Sequence, residues 1–99
     1  MAHNIARDHI IEILIKVLDK AITQKQKRIL LILHDDNFRF VTTTKAVKIM
    51  AVELACAEST VWDSISALKE LGFVVCNGRI ELTNIGDICV KLLEREKYV

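Results

Sequence analysis

The sequence predicts a mainly helical domain that carries one short antiparallel β-hairpin before its last helix. Proline is absent, and the three glycines all fall in the last third of the 99 residues. The first two thirds are therefore expected to be helices joined by short polar turns. Residues 73–76 instead form an apolar run and residues 79–82 alternate between polar and apolar, with an Asn-Gly pair between them, which is typical of a hairpin. At this length we expect a single domain.

The first predicted helix covers residues 4–20 and has two apolar sides. Its charged side chains share one stripe about 120° wide: Asp8, Glu12, Lys16, Asp19 and Lys20. Most of the remaining surface is apolar, which is wider than the single stripe of an ordinary surface helix. One side is expected to pack on its own domain and the other on a partner subunit. The alternative is a central helix of a monomer.

The next two helices are predicted from their capping residues. Thr23 and Gln26 form a T-x-x-Q capping box that opens a helix over residues 24–34. A polar turn at residues 35–37 ends it, and the alternation of residues 38–41 predicts a short strand. Thr42 or Thr43 then caps a third helix that extends to about residue 55.

A fourth helix is predicted over residues 60–71, with Ser59 as its N-cap and Gly72 just beyond its end. Its expected buried stripe is Val61, Ile65, Leu68 and Leu71.

The hairpin is predicted to turn on Asn77-Gly78 as a two-residue type I′ turn. That turn pairs Cys76 with Arg79, Val75 with Ile80, Val74 with Glu81 and Phe73 with Leu82. Thr83 is expected to cap a last helix that ends near residue 97. The apolar stripe predicted for this helix is Ile85, Ile88, Cys89, Leu92 and Leu93.

Composition and spacing argue against several classes of function. The formal charge of +1 excludes a strongly basic nucleic-acid coat but leaves room for a local basic patch. No apolar run is long enough for a membrane span, and the start of the chain lacks a signal-peptide pattern, so a cytoplasmic location is expected. His34 beside Asp35 is interpreted as a helix end rather than a metal ligand. No catalytic constellation, metal motif or cofactor motif is present, and no enzyme activity is expected.

The three cysteines, Cys56, Cys76 and Cys89, are widely spaced and fit neither a disulfide framework nor a zinc site. They are expected to be reduced, and an intermolecular disulfide is the alternative.

The predicted order of elements is that of a winged helix-turn-helix, in which a hairpin called the wing follows two helices joined by a tight turn. Specific residues add a family resemblance over residues 24–93. The helix-turn-helix is expected at residues 42–71 and the wing at residues 73–82. Across the end of the first and the start of the second, the chain matches the pattern S-T-V-x-x-x-[IV]-x-x-L-x-x-x-G-[LF]-[IV] at Ser59-Thr60-Val61, Ile65, Leu68 and Gly72-Phe73-Val74. Residues 81–86 match the x-L-T-x-x-G entry into the last helix. The chain thus resembles the MarR, PadR and ArsR-like group of small prokaryotic and archaeal winged-helix regulators.

This resemblance implies a homodimeric transcription regulator that places its fourth helix in the major groove of duplex DNA. The helices at residues 1–21 and 84–97 would form the dimer, with contacts expected from Ile10, Ile11, Leu14, Val17, Leu18, Ile88 and Leu92. Phosphate contacts are expected from the start of the third helix and from the wing: Thr43, Thr44, Lys45, Lys48 and Arg79. Contacts of the fourth helix are expected from Ser59, Thr60, Trp62, Asp63, Ser66 and Lys69.

The charge distribution keeps a second class of function open. Residues 42–71 carry three lysines against four carboxylates, a net charge of −1, whereas residues 16–28 carry a net charge of +4. The family often has a small polar residue and an arginine where this chain has Trp62 and Asp63. The alternative function is therefore a winged-helix module that docks a protein and does not read DNA. Trp62 itself has three interpretations: packing on the dimer partner or wing, anchoring a protein partner, or touching DNA.

A third and weaker hypothesis is a ligand- or redox-responsive regulator that uses Cys76 at the wing.

Overall fold

The computed structural model describes residues 2–35 and 41–97, and the side chains of residues 8–35 and 41–95 within them. In this part of the chain five α-helices and one two-stranded antiparallel sheet follow one another. In chain order they are α1 (Ala2–Ala21), α2 (Gln24–His34), α3 (Thr43–Leu54), α4 (Glu58–Glu70), β1 (Val74–Cys76), β2 (Ile80–Leu82) and α5 (Asn84–Lys97). The mainly helical class with one small hairpin is confirmed. The strand predicted at residues 38–41 lies mostly outside the described residues, and Val41 itself is not in a strand.

Local capping chemistry sets where the second and third helices begin. The Thr23 hydroxyl accepts a hydrogen bond from the Gln26 backbone N–H at 3.1 Å, and the Gln26 side chain accepts one from the Thr23 N–H at 2.9 Å. The predicted capping box is therefore confirmed. Thr42 caps α3 in the same way, because its hydroxyl accepts from the Lys45 N–H at 3.3 Å.

The turn between α3 and α4 differs from the prediction by about two residues. The third helix ends at Leu54, and Ala55 adopts a left-handed backbone conformation with φ of 52°. This reversal lets the next helix begin at Glu58, whose carboxylate suits the positive end of the helix dipole. The N-cap is Ala57, with no side-chain hydrogen bond, so the prediction that Ser59 caps this helix was wrong.

The hairpin has a three-residue turn, and the predicted register was wrong by one residue. Val74 pairs with Leu82, Val75 with Glu81 and Cys76 with Ile80. A type I′ turn needs a positive φ at both central residues. Gly78 has a φ of 77°, but Asn77 does not have a positive one, so the turn extends to Arg79. The shift places Val74, rather than Val75, on the buried face of the sheet.

One hydrophobic core joins the last residues before α2 to all later elements. Its largest fully buried side chains come from α2, α3, α4 and α5: Ile29, Leu30, Val47, Met50, Val61, Ile65, Leu68 and Val90. The buried face of α3 consists of Ala46, Val47, Met50, Ala51 and Leu54. On α1 only one side approaches this core, through Leu18, and the helix packs along α5.

Two of the predicted stripes need correction. Leu71 lies beyond the end of α4 and is 43% exposed, because the helix stops at Glu70, and Ser64 completes the buried face instead. On α5, Ile85 and Ile88 are more than half exposed, while Cys89 and Leu93 are buried as predicted. Val90, which the predicted stripe did not include, is fully buried in the core instead of these isoleucines.

Hydrogen bonds join the end of α4 to the start of α5. Gly72, with φ of 83°, and Phe73 close α4 by donating their N–H groups to the carbonyls of Lys69 and Leu68. The Phe73 carbonyl then accepts from the Thr83 N–H at 3.0 Å. The Thr83 hydroxyl donates to the Gly72 carbonyl at 2.6 Å and accepts from the Gly86 N–H at 3.0 Å. Thr83 is thus the cap that the sequence predicted for α5, and it also fixes the hairpin against α4.

Candidate nucleic-acid interface

The tip of the hairpin lies against the beginning of α3. The Thr43 N–H donates a 2.9 Å hydrogen bond to the Gly78 carbonyl. This N–H belongs to the first turn of the helix and has no acceptor within its own helix. The bond brings Arg79, next to Gly78, to the same end of the molecule as the first turn of α3. Two sets of predicted phosphate contacts, far apart in sequence, are therefore neighbours.

The first turns of α3 carry exposed polar and basic side chains. Thr44, Lys45 and Lys48 are exposed. The partial positive charge at the N-terminus of a helix suits an anion such as a phosphate. The Thr43 and Lys45 N–H groups already donate to the Gly78 carbonyl and the Thr42 hydroxyl, so this attraction comes from the helix dipole and the side chains. Thr43 differs from the other predicted contacts: its side chain is half-buried, and its hydroxyl oxygen is fully buried without a hydrogen-bond partner. Thr43 contributes to this surface through the hydrogen bond that its backbone N–H donates to the hairpin.

Arg79 is held close to a carboxylate of its own hairpin. Its guanidinium Nη2 lies 3.5 Å from Glu81 Oε1, and about half of each side chain is exposed. An exposed pair of this kind is weak and is screened by salt. A stronger anion can therefore compete with Glu81 for the guanidinium. Sequence reasoning placed Arg79 at the surface but missed this partner, although an i, i+2 pair on one strand face is readable from the alternation.

The outer face of α4 presents the predicted base-reading side chains to solvent. Ser59, Asp63, Ser66 and Lys69 are exposed, Thr60 is half-buried, and the Trp62 side chain is 40% exposed. Helix α4 packs against both α3 and β1. Helix α4 therefore contacts both of the elements that lead to the Thr43–Gly78 hydrogen bond.

The charges on this surface are nearly balanced. On α3, α4 and the hairpin the exposed cations are Lys45, Lys48, Lys69 and Arg79, and the exposed carboxylates are Glu53, Glu58, Asp63, Glu70 and Glu81. The basic excess lies instead at the corner between α1 and α2. There Lys16, Lys20 and Arg28 are exposed, Lys25 is half-buried, and Lys27 pairs with Asp19.

The predicted dimerisation residues fall into two groups. Ile10, Leu14, Val17 and Ile88 are exposed on the protomer, with exposed fractions between 45% and 57%. Ile11, Leu18 and Leu92 are half-buried within the protomer. Two exposed residues of the same kind were missed, Ile13 at 47% and Ile85 at 58%. Ile13 is three residues from Ile10, so its helical spacing was a usable signal.

His34 and the three cysteines, which are side chains that could bind a metal or act as nucleophiles, occupy structural positions in the fold. His34 lies 3.7 Å from Asp87 and 3.9 Å from Glu94, so its carboxylate neighbours belong to α5. All three cysteines are free thiols, with Cys56 and Cys76 half-buried and Cys89 buried. Burial raises the pKa of the Cys89 thiol, an effect partly offset by the Lys27 ammonium. Among residues 2–35 and 41–97, no group of three His, Cys, Asp or Glu residues is placed to hold a metal ion.

Comparison with protein-family models, with curated proteins and with solved structures yields no match. No helix in the described part of the chain combines the length and the apolar character that a membrane span requires.

Proposed function

We propose that this chain is a winged helix-turn-helix domain that binds duplex DNA as a homodimer and regulates transcription. Helices α3 and α4 would be the helix-turn-helix, and the hairpin would be the wing. In this proposal α4 enters the major groove, while the first turns of α3 and the wing contact the phosphates on either side.

The observation that carries the proposal is the hydrogen bond between the Thr43 N–H and the Gly78 carbonyl. It holds the first turn of α3 and the wing tip together, so that Thr44, Lys45 and Arg79 can contact one stretch of phosphate backbone. A phosphate there would meet cationic side chains and the positive end of the α3 dipole, although the Thr43 and Lys45 N–H groups are already hydrogen-bonded. The same arrangement leaves the exposed face of α4 beside the phosphate contacts, where base edges would lie.

The balanced charge of this surface leads to a specific expectation about affinity. Few phosphates can be neutralised by a single protomer, so binding by one protomer should be weak, and added salt should weaken it further. Sequence preference would come from short polar side chains and from Asp63, which can accept a hydrogen bond from the N4 amino group of cytosine. A dimer that contacts two half-sites would double the number of phosphate contacts.

The test is fluorescence anisotropy with a labelled mixed-sequence duplex of about 30 base pairs, titrated at several salt concentrations. The slope of log K against log salt for wild type counts the phosphates neutralised. Lys48→Ala and Arg79→Ala should each weaken binding to every sequence and reduce the slope by about 0.9 for each phosphate that a protomer no longer neutralises. The matched control is Lys91→Ala, because Lys91 is an exposed lysine on α5 that pairs with Asp87.

Glu81→Gln sharpens this test, because it removes the carboxylate that contacts Arg79 while keeping the shape of the side chain. It should strengthen binding in wild type, and the gain should be smaller in the Arg79→Ala background, where only the repulsion between the Glu81 carboxylate and the phosphates is removed. Equal slopes for wild type, Lys48→Ala and Arg79→Ala would remove these residues from the interface. Absence of binding at low salt would refute the proposed DNA-binding function.

The alternative function is a winged-helix module that docks a protein through α4. It is favoured by the 40% exposure of Trp62 and by the exposed carboxylates of Glu58, Asp63 and Glu70 on the same helix. Exposed tryptophans are frequent anchors of protein interfaces. If Trp62→Ala folds normally and loses a protein recovered with wild type, while neither variant binds DNA, the docking function is the correct one.

A further inference from the structure

The outer side of α1 is an apolar stripe that its own protomer leaves uncovered. The stripe consists of Ile10, Ile13, Leu14 and Val17, at the i, i+3, i+4, i+7 spacing of one helix face. The exposed fractions are 57%, 47%, 45% and 55%. The inner side of the same helix, which includes Ile11, Ile15 and Leu18, is half-buried. We refer to the four exposed residues as the outer stripe.

The outer stripe is symmetric about its own midpoint, between Ile13 and Leu14. A two-fold axis at that point places Ile10 opposite Val17 of a second copy and Ile13 opposite its Leu14. Every apolar side chain then meets another apolar side chain, which is what a self-complementary two-fold interface requires. The interface would run along about two turns of each helix, and helices packed in this way lie 8–10 Å apart.

Charge decides between the antiparallel and the parallel arrangement of the two helices. The first half of α1 carries Arg7, Asp8 and Glu12, a net charge of −1, and Asp8 pairs with Arg95 of the same chain. Lys16 and Lys20 lie in the second half, and Arg28 follows on α2, at the basic corner. A parallel pair would bring the two corners, each with a net charge of +4, side by side. An antiparallel pair separates the two Lys20 residues by about 20 Å along the helix axis. That separation exceeds twice the Debye length of about 8 Å at physiological salt.

We propose that the outer stripe binds the outer stripe of a second copy of this chain, with the two α1 helices antiparallel and the two-fold axis between Ile13 and Leu14. This arrangement rests on the homodimer in the proposed function and gives it a defined geometry. It puts the two basic corners at opposite ends of the paired helices, so that they do not lie side by side.

Single cysteine variants test the orientation by disulfide cross-linking. Leu14 lies half a residue from the axis, so two copies of Leu14→Cys are only about 1.5 Å apart along the helix axis and should cross-link under mild oxidation. Two copies of Ile10→Cys would be separated by about 10 Å along the axis, too far for a disulfide. Ile10→Cys should therefore not cross-link alone, but a mixture with size-tagged Val17→Cys should give the mixed dimer. Wild type, with its three native thiols, is the background control, and circular dichroism and thiol titration establish folding and accessibility.

A second measurement tests the stripe without new cysteines. Light scattering should give wild type a mass twice the 11.2 kDa of the chain and Leu14→Asp a mass of one chain. The matched control is Val52→Asp on α3, because Val52 is 81% exposed and lies outside the stripe. This control should remain a dimer. A wild-type monomer, or a dimer that Leu14→Asp leaves intact, would overturn the proposal.

The cross-linking outcomes separate this inference from the proposed function. Self-cross-linking of Ile10→Cys, Leu14→Cys and Val17→Cys alike would indicate a parallel pair, and no cross-linking at all would exclude the stripe as the interface. Either result would overturn the antiparallel pair and leave DNA binding to its own experiment. Conversely, if the cross-links expected for the antiparallel pair form in a protein that binds no duplex, the proposed dimer stands and the proposed DNA-binding function is refuted.

Discussion

Helix α1 and the body formed by α2–α5 differ in how far their apolar side chains are buried. In the α2–α5 body, the apolar helix residues meet in one core, and Leu30, Val61 and Val90 have no exposed surface. On α1, Ile10 and Val17 each keep more than half of their surface in contact with solvent. The two regions have similar sequence character, since both are amphipathic and rich in isoleucine and leucine. They differ in whether the chain itself supplies the covering side chains.

This difference separates what stabilises the protomer from what remains available for assembly. A buried leucine is stabilised by transfer from water and by close packing, so its loss is felt in folding. An exposed leucine contributes to the protomer mainly through its helix propensity. The outer stripe is therefore the part of the apolar surface whose contribution depends on a second molecule.

The largest contrast is expected between two leucine-to-alanine substitutions. Leu30→Ala removes a fully buried side chain and should lower the free energy of unfolding by about 2–5 kcal/mol. Leu14→Ala removes a side chain that is 45% exposed and should change the stability of the isolated protomer by about 0.5 kcal/mol or less. Urea unfolding monitored by circular dichroism measures both.

The dependence of stability on protein concentration should also differ between the two variants. If the outer stripe binds a second copy, wild type gains stability with concentration by mass action, and Leu14→Ala gains less. Leu30→Ala should keep its full loss at every concentration. Equal losses for both variants at high dilution would mean that α1 is as well covered as the body.

A smaller loss is expected at Gly86, where α5 approaches the end of α4. A Cβ atom at this position would lie 2.0 Å from the Phe73 carbonyl oxygen. Gly86→Ala should therefore cost about 2 kcal/mol despite the better helix propensity of alanine. Thermal unfolding should show a fall in Tm of about 10 °C.

Gly78→Ala is the matched control for that substitution, because a Cβ atom there meets no heavy atom within 4 Å, although its φ is 77°. Only the left-handed conformation opposes this alanine, at a cost of about 1 kcal/mol. A Gly86→Ala variant that is more stable than Gly78→Ala would contradict the close approach of the two segments.

Features fixed by neighbouring residues were predictable from the sequence. The capping box of Thr23 and Gln26 and the caps at Thr42 and Thr83 depend on residues three positions apart. The hairpin register was not predictable in this way. The Phe73 carbonyl is already bonded to the Thr83 N–H, which continues the observed pairing and excludes the predicted one.

The candidate interface was predictable as a set of residues but not as an arrangement. Helical spacing and the Asn-Gly turn placed Lys45, Lys48 and Arg79 at surface positions, and all three are exposed. The contact between the hairpin tip and α3 joins segments that are distant in sequence and carries no side-chain signal, because both partners are backbone groups. The outer stripe was predicted as one of two apolar sides, but packing against α5 decided which side remained exposed.

The smallest expected effect concerns Cys89, which is buried in the body, whereas Cys56 and Cys76 are half-buried. Burial raises the pKa of the Cys89 thiol above its ordinary value of 9.0. Above about pH 9 the unfolded chain therefore releases this proton more readily than the folded chain does. The native state binds more protons in that range, so the free energy of unfolding should fall as the pH rises.

Replacement of the thiol isolates this contribution from that of the lysines and tyrosine, which also titrate at high pH. Cys89→Ala should flatten the fall in stability above pH 9 relative to wild type. The free energy of unfolding at a series of pH values measures both slopes. A slope that is the same in wild type and Cys89→Ala would mean that this thiol ionises as easily in the folded chain as in the unfolded one, which its position in the core argues against.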